Sequence, residues 1–252
     1  MPSRVYIKLR FEKPIEVKEL SPDKVHGLFF SLIGEKLADK LHREYGNVKP
    51  YSLYCGEMFS EKPKEELTME VNLLEDSLLP SLLSELLLSK KQAKIYMEEA
   101  IKGNFSVKVP QKWVKSYETL IEEVESKPKV GIKFVSPTTF RRNDVDFPFP
   151  LPELIFKGLV KKWLSFSKIP IDVDLREYYN RIEVEKYELR TEKVNFSNGG
   201  KLTTFKGYVV YNLSKVNIEA LKWLNILLLY AKWSLVGRKT TMGLGKVRIF
   251  KV

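Results

Sequence analysis

The sequence is poor in cysteine and histidine and holds neither of the common nucleotide-binding glycine motifs. Cys55 is its only cysteine, so no internal disulfide and no cysteine-based zinc site can form within one chain of 252 residues. This fits a reducing, cytoplasmic setting. There are two histidines, His26 and His42, and two glutamines, Gln92 and Gln111. No G-x-G-x-x-G occurs. The glycine-rich stretch Val236–Lys246 is not a Walker loop, because Val247 follows Gly245-Lys246 and Thr240 stands where the first glycine belongs. No cofactor and no metal ion are expected. The opening residues alternate charge with apolarity and lack the apolar core of a signal peptide. The most apolar run, 218–236, is interrupted by Glu219, Lys222, Asn225 and Lys232, which would be costly at bilayer depth. It reads as a buried helix, not a membrane span.

What is present is a globular composition, 44% apolar and 30% charged, with a net charge of +11. Such an excess points to an anionic partner, nucleic acid before an anionic membrane surface. The basic residues are spread along the chain, which suggests a folded basic surface and not a disordered arm. Lysine and glutamate dominate the charged set, a balance resembling that of thermophile proteins.

Apolar periodicity orders the chain. Val5, Ile7, Leu9 and Phe11 alternate with polar neighbours, so a strand opens it. Ser21-Pro22-Asp23 is a helix start, and the helix is expected to run towards Gly46, weakened at Gly34. Strands follow at 51–54 and 68–73, a helix from Ser77, and closing strands at 94–97 and 105–109. The charged stretch 122–128 marks a boundary, giving expected domains 1–125 and 126–252. The second half repeats the order: strand 130–135, helix 154–166, a hairpin of 182–196 and 202–213 around Asn198-Gly199-Gly200, helix 218–236 and a last strand. The predicted class is α+β, two tandem ferredoxin-like βαββαβ domains, an order that RRM domains share. Lys206-Gly207-Tyr208 starts like an RRM aromatic motif, but Val209-Val210-Tyr211 breaks it, so this is read as a core strand.

Val236–Lys246 packs three glycines, three cations and two threonines into eleven residues. Glycines let backbone N–H groups approach a phosphate, and the threonines add hydroxyl donors. A tight helix-to-strand connection with incidental charge would read the same way. The run Gly237-Arg238-Lys239-Thr240-Thr241-Met242-Gly243-Leu244-Gly245 before a terminal strand also resembles the signature loop of the CRISPR-associated repeat-processing endoribonucleases, a family of the RAMP superfamily. Val135–Arg142 followed by Pro150–Phe156 resembles that family's first strand and helix of the second half, and Phe205–Tyr211 its later strand. Leu235 departs from the pattern, since members often carry glycine there. The resemblance implies tandem ferredoxin-like domains that bind a CRISPR repeat in precursor RNA and cut it once without a metal. The 2′-hydroxyl attacks the adjacent phosphate, leaving a 2′,3′-cyclic phosphate and a 5′-hydroxyl. A non-catalytic repeat-RNA-binding protein of an interference complex is the alternative. Expected partners are repeat RNA (pre-crRNA), other Cas proteins of an interference complex and a second copy in a homodimer, with no membrane.

That cut needs a base, an acid and stabilisation of charge on the phosphate. Histidine suits the proton transfers. At 100° per residue His26 falls among Phe29, Phe30, Ile33 and Leu37, where a buried, hydrogen-bonded core histidine is the plain reading. If the helix continued, His42 would lie away from that face, near a helix end whose dipole favours an imidazolium. The resemblance points the same way: Leu41-His42-Arg43-Glu44 with Lys49-Pro50-Tyr51 looks like the segment holding the family's acid–base histidine. It implies His26 as a second candidate and Lys49 for charge stabilisation. Certain members use a tyrosine where Phe30 stands, and Tyr45 or Tyr51 could compensate. Arg141 and Arg142 are expected on the RNA backbone, with Gly237, Arg238, Lys239, Thr240, Thr241, Gly243 and Gly245.

Overall fold

The computed structural model describes residues 1–16, 20–60, 62–88, 93–96 and 100–252. Two compact units result. The first comprises Met1–Val114 with Asn195–Lys201 and Thr241–Gly243, and the second Lys115–Val194, Leu202–Thr240 and Leu244–Val252.

The first unit runs β1 (Ser3–Ile15), α1 (Pro22–Leu32), α2 (Glu35–Asp39), β2 (Tyr51–Cys55), β3 (Lys64–Leu73), α3 (Leu78–Leu88), β4 (Ala93–Tyr96) and β5 (Ala100–Lys108). Its sheet has the order β2-β3-β1-β5-β4. The pairing Val5↔Val71, Ile7↔Met69 and Leu9↔Leu67 puts one apolar set on one face. Those side chains are fully buried with Val25, Leu28, Phe29 and Leu32 of α1 and Leu78 and Leu82 of α3. Each such burial stabilises by roughly 1.5–3 kcal/mol. β4 pairs with β5 through Ala93↔Gly103, adding an edge strand to the four of the ferredoxin-like pattern. Met97, expected at the end of that strand, lies outside the described residues.

The opposite sheet face holds Arg4, 3% exposed. Its Nε donates to Asn72 Oδ1 at 2.6 Å, an amino group lies 3.3 Å from Glu70, and its guanidinium sits 3.9 Å over the Trp113 ring. Asn72 in turn donates to Ser52 Oγ at 3.0 Å. A buried cation is tolerated here because it is paired, hydrogen-bonded and stacked.

The second unit runs α4 (Tyr117–Glu122), β6 (Lys129–Thr138), β7 (Phe140–Arg142), β8 (Val145–Phe147), α5 (Pro152–Phe166), β9 (Glu183–Asn195), β10 (Lys201–Asn212), α6 (Ile218–Ser234) and β11 (Val247–Phe250). The order β11-β6-β10-β9 is the antiparallel βαββαβ arrangement. Between it and α5 and α6 lie Ile132, Phe134, Phe205, Val209, Phe156, Trp163, Leu224 and Tyr230, all buried. Most of α6 is buried, which is why its sequence is apolar on nearly every side. No helix among the described residues is long and apolar enough to cross a membrane. The β7–β8 hairpin was not legible beforehand. Asn143 and Asp144 at its turn both have positive φ, which the primed hairpin turns require and which these two residue types tolerate.

Candidate active site

The histidines come together because the first helix does not continue. α1 stops at Leu32, Ile33 is extended, and Gly34 begins α2. The Gly34 amide donates to Glu85 Oε2 at 2.8 Å, so a carboxylate 51 residues downstream holds the break. The chain then passes through a π-helical turn, Lys40–Glu44, that carries His42. One continuous helix would hold His42 apart from His26, but the break brings the two together. Phe30 and the two imidazoles form a triangle of rings, with Phe30 4.6 Å from His26 and 4.3 Å from His42 and the imidazoles 5.9 Å apart, edge to face. His42 is exposed and His26 half-buried.

His26 Nε2 is 3.1 Å from the Tyr51 hydroxyl. Tyr51 is buried, and burial pushes its pKa up although the side chain of Thr241 also hydrogen-bonds to it. Of the two tyrosines considered in sequence, Tyr51 is the one at an imidazole. Tyr45 instead hydrogen-bonds Glu75, and burial with that carboxylate raises its pKa. Lys49 Nζ donates to the His42 carbonyl oxygen at 2.7 Å, so it ties the turn that presents His42. Among the described residues no cluster of three or more histidine, cysteine, aspartate or glutamate side chains could hold a metal ion.

The glycine-rich segment has its stems in the second unit and Thr241–Gly243 in the first. Two of its glycines are explained by the protein's own backbone. A Cβ on Gly237 would lie 2.4 Å from Thr139 O, and one on Gly245 1.9 Å from Val236 O. The amides of Val236, Arg238 and Gly245 donate to Gly245 O, Thr139 O and Pro137 O at 3.0, 2.9 and 3.1 Å. These donors are taken up by the protein itself, one within the loop and two by Pro137 and Thr139, so the glycines act first as close-packing residues. Leu235, where the resemblance suggests glycine, has φ +54° and is fully buried.

Lys162 on α5 was missed in sequence, where it is one lysine among several. Its ammonium donates to the carbonyl oxygen of Ser234, to Leu235 O at 3.3 Å and to Thr240 Oγ1 at 3.2 Å. Burial lowers its pKa to about 7. Three arginines are engaged at the β7–β8 hairpin. Arg238 pairs with Asp146, Arg141 with Asp144 at 3.0 Å, and the Arg142 guanidinium lies 5.6 Å over Phe147.

β10 is a core strand, in line with the sequence reading, with Phe205, Val209, Val210 and Tyr211 buried and its place between β6 and β9. Val209 and Tyr211 point into the core, while half-buried Tyr208 stands on the other face. There it pairs across with Lys133, which pairs with Arg248, and Lys186 Nζ lies 5.9 Å from its ring centroid.

Two antiparallel sheets in tandem, each backed by helices, define a protein with two ferredoxin-like domains, the fold of known Cas6 structures. Residues 132–247 match the model of the family described as CRISPR-associated endoribonuclease Cas6. Over 99% of its length the chain is similar to all of a Cas6 solved as a product complex, with 27% identity and a TM-score of 0.80. The same Cas6, from Thermus thermophilus, also matches in a second structure, with 25% identity, 99% of this chain and 98% of that one covered, and a TM-score of 0.74. A Cas6 substrate-mimic complex matches with 25% identity over 99% of this chain and all of that one, TM-score 0.71. No curated protein matches by sequence. The family-model match and the structural matches together support the chain's place in the Cas6 repeat-processing family.

Proposed function

We propose that this protein is a metal-independent endoribonuclease that cuts CRISPR precursor RNA within the repeat. The observation that carries the reading is the pair of imidazoles 5.9 Å apart beside Phe30, one exposed and one hydrogen-bonded to Tyr51. The similar Cas6 structures solved with product and with a substrate mimic support repeat RNA as the ligand. In the reaction the ribose 2′-oxygen forms a bond to phosphorus as its proton leaves. The P–O5′ bond breaks, and the 5′-oxygen takes up a proton. His42, exposed, serves as the acid–base group that reaches the RNA; His26, oriented by Tyr51, is its partner. Each can serve because an imidazole exchanges protons near neutral pH. Lys49 steadies the His42 turn and adds positive charge beside the phosphate. Arg141, Arg142, Arg238 and Lys239 hold the RNA backbone, with Thr240 and Thr241 as hydroxyl donors and Gly237, Gly243 and Gly245 shaping the loop.

The test is cleavage of the host's own repeat RNA with EDTA present and the product ends mapped. Activity should persist, yielding a 2′,3′-cyclic phosphate and a 5′-hydroxyl, and a single 2′-deoxy at the cut site should abolish it. His42→Ala should slow cleavage by roughly 10²–10⁴-fold with RNA affinity nearly intact. Binding without any cleavage by the native protein would favour a repeat-binding role instead, and loss of activity on chelation a metal nuclease.

A further inference from the structure

We propose that Lys162 is a positioning residue that sets the glycine-rich loop for RNA, an inference that rests on the RNA-processing reading above. The loop leaves α6 in an unusual way. A helix end exposes carbonyls without helical partners, and the common solution is a glycine of positive φ just beyond the last turn. Here that position is Leu235, at φ +54° and fully buried, which costs a side-chain-bearing residue backbone strain. Lys162 reaches across from α5 and donates to the carbonyls of Ser234 and Leu235, on both sides of the strained residue. It places a cation at the negative end of the α6 dipole as well. The same ammonium donates to Thr240 Oγ1, where the short 3-10 turn Thr240–Met242 begins. One side chain thus fixes the chain on both sides of Gly237, Arg238 and Lys239.

The Arg238 amide is held by Thr139 O, the Lys239 carbonyl accepts from the Leu244 amide at 3.4 Å, and Lys239 has φ +55°. With the Lys162 bonds removed, the segment between Leu235 and Thr240 gains freedom and these cations lose their fixed aim. Trp163, next to Lys162 on α5, is buried in the second unit's core, so the lysine's base is rigid. A lysine serving only to satisfy a helix end would need no bond to Thr240.

The experiment compares native protein with Lys162→Met, which keeps the stem and removes the donors, and with Thr240→Val, which removes the acceptor of the third bond together with the hydroxyl that the RNA reading also uses. Binding of 2′-fluoro repeat RNA, which has no 2′-hydroxyl to attack with, is measured over a range of salt. Lys162→Met should weaken binding about tenfold and reduce the slope of log K against log salt by about 1–2, as phosphate contacts are lost. Thr240→Val should shift both in the same direction by less. Mere loss of folded protein lowers the bound fraction without altering that slope. A folded Lys162→Met with native slope and affinity overturns the proposal. If Lys162→Met does not fold, native slope and affinity in Thr240→Val overturn it. Native protein that fails to bind the RNA sinks the RNA reading itself, and the proposal with it.

Discussion

Gly245→Ala should be the most damaging small substitution in the glycine-rich loop, and three glycines show why. Gly199, Gly243 and Gly245 have nearly the same φ, +80°, +90° and +80°, but different surroundings. An alanine at any of them carries the cost of a left-handed conformation, about 1–2 kcal/mol. At Gly199 the added methyl meets nothing within 4 Å, so that is the whole effect. At Gly243 it meets the Met58 sulfur at 2.9 Å, the movable end of a flexible side chain. At Gly245 it would sit 1.9 Å from Val236 O and 3.0 Å from the carbon of that carbonyl, all main chain. Relief requires parting Val236 from Gly245, which breaks the bond from Val236 N to Gly245 O and strains that from Gly245 N to Pro137 O. Two such bonds at about 1 kcal/mol each, more where a donor is left buried, bring the total to about 3–5 kcal/mol. Equilibrium urea unfolding of the three alanine variants in one buffer measures this. The order Gly245 well above Gly243, with Gly199 least, is expected. A Gly245→Ala protein no less stable than Gly199→Ala would refute the close-packing account of the loop.

Other outcomes follow from the same geometry. Arg238→Ala with Lys239→Ala should weaken RNA binding and flatten its salt dependence, by about one unit of slope per lost phosphate contact. Asp146→Asn removes the carboxylate that pairs with Arg238, and should tighten RNA binding and steepen the salt slope; weaker binding would mean that Asp146 aims the guanidinium instead. Arg4→Met leaves Glu70 and Asn72 without their buried partner and should destabilise by about 3–5 kcal/mol, read by urea unfolding. Burial alone would raise the Asp23 carboxyl pKa, but hydrogen bonds from the Ser197 hydroxyl and amide hold it below the usual value. A depressed folded-state pKa gives stability that is present above about pH 4 and lost as the pH falls through the folded value. Ser197→Ala should therefore cost stability at pH 7 and much less at pH 2; an equal loss at both would show that the carboxylate is not what the hydroxyl serves.

Much of the fold was legible because it is local. Period-two runs such as Val5–Phe11, the Ser21-Pro22 helix start and the Asn198-Gly199-Gly200 turn each follow from the conformational preferences of neighbouring residues, and together they dictate the βαββαβ order. What they could not dictate is anything that depends on a distant partner. The first helix breaks where Glu85 meets Gly34, so the two histidines close on Phe30 instead of lying on different faces. Tyr208 comes to stand beside Lys133 and Lys186 only because strand pairing lays distant segments side by side. Lys162 acquires meaning only when α5 brings it to the end of α6, 72 residues further along the chain. Composition and periodicity thus determined the elements, their order and the basic character of the protein. The tertiary structure alone decided which imidazoles, hydroxyls and cations meet, since a side chain's partner is set by the packing of elements far apart in the chain.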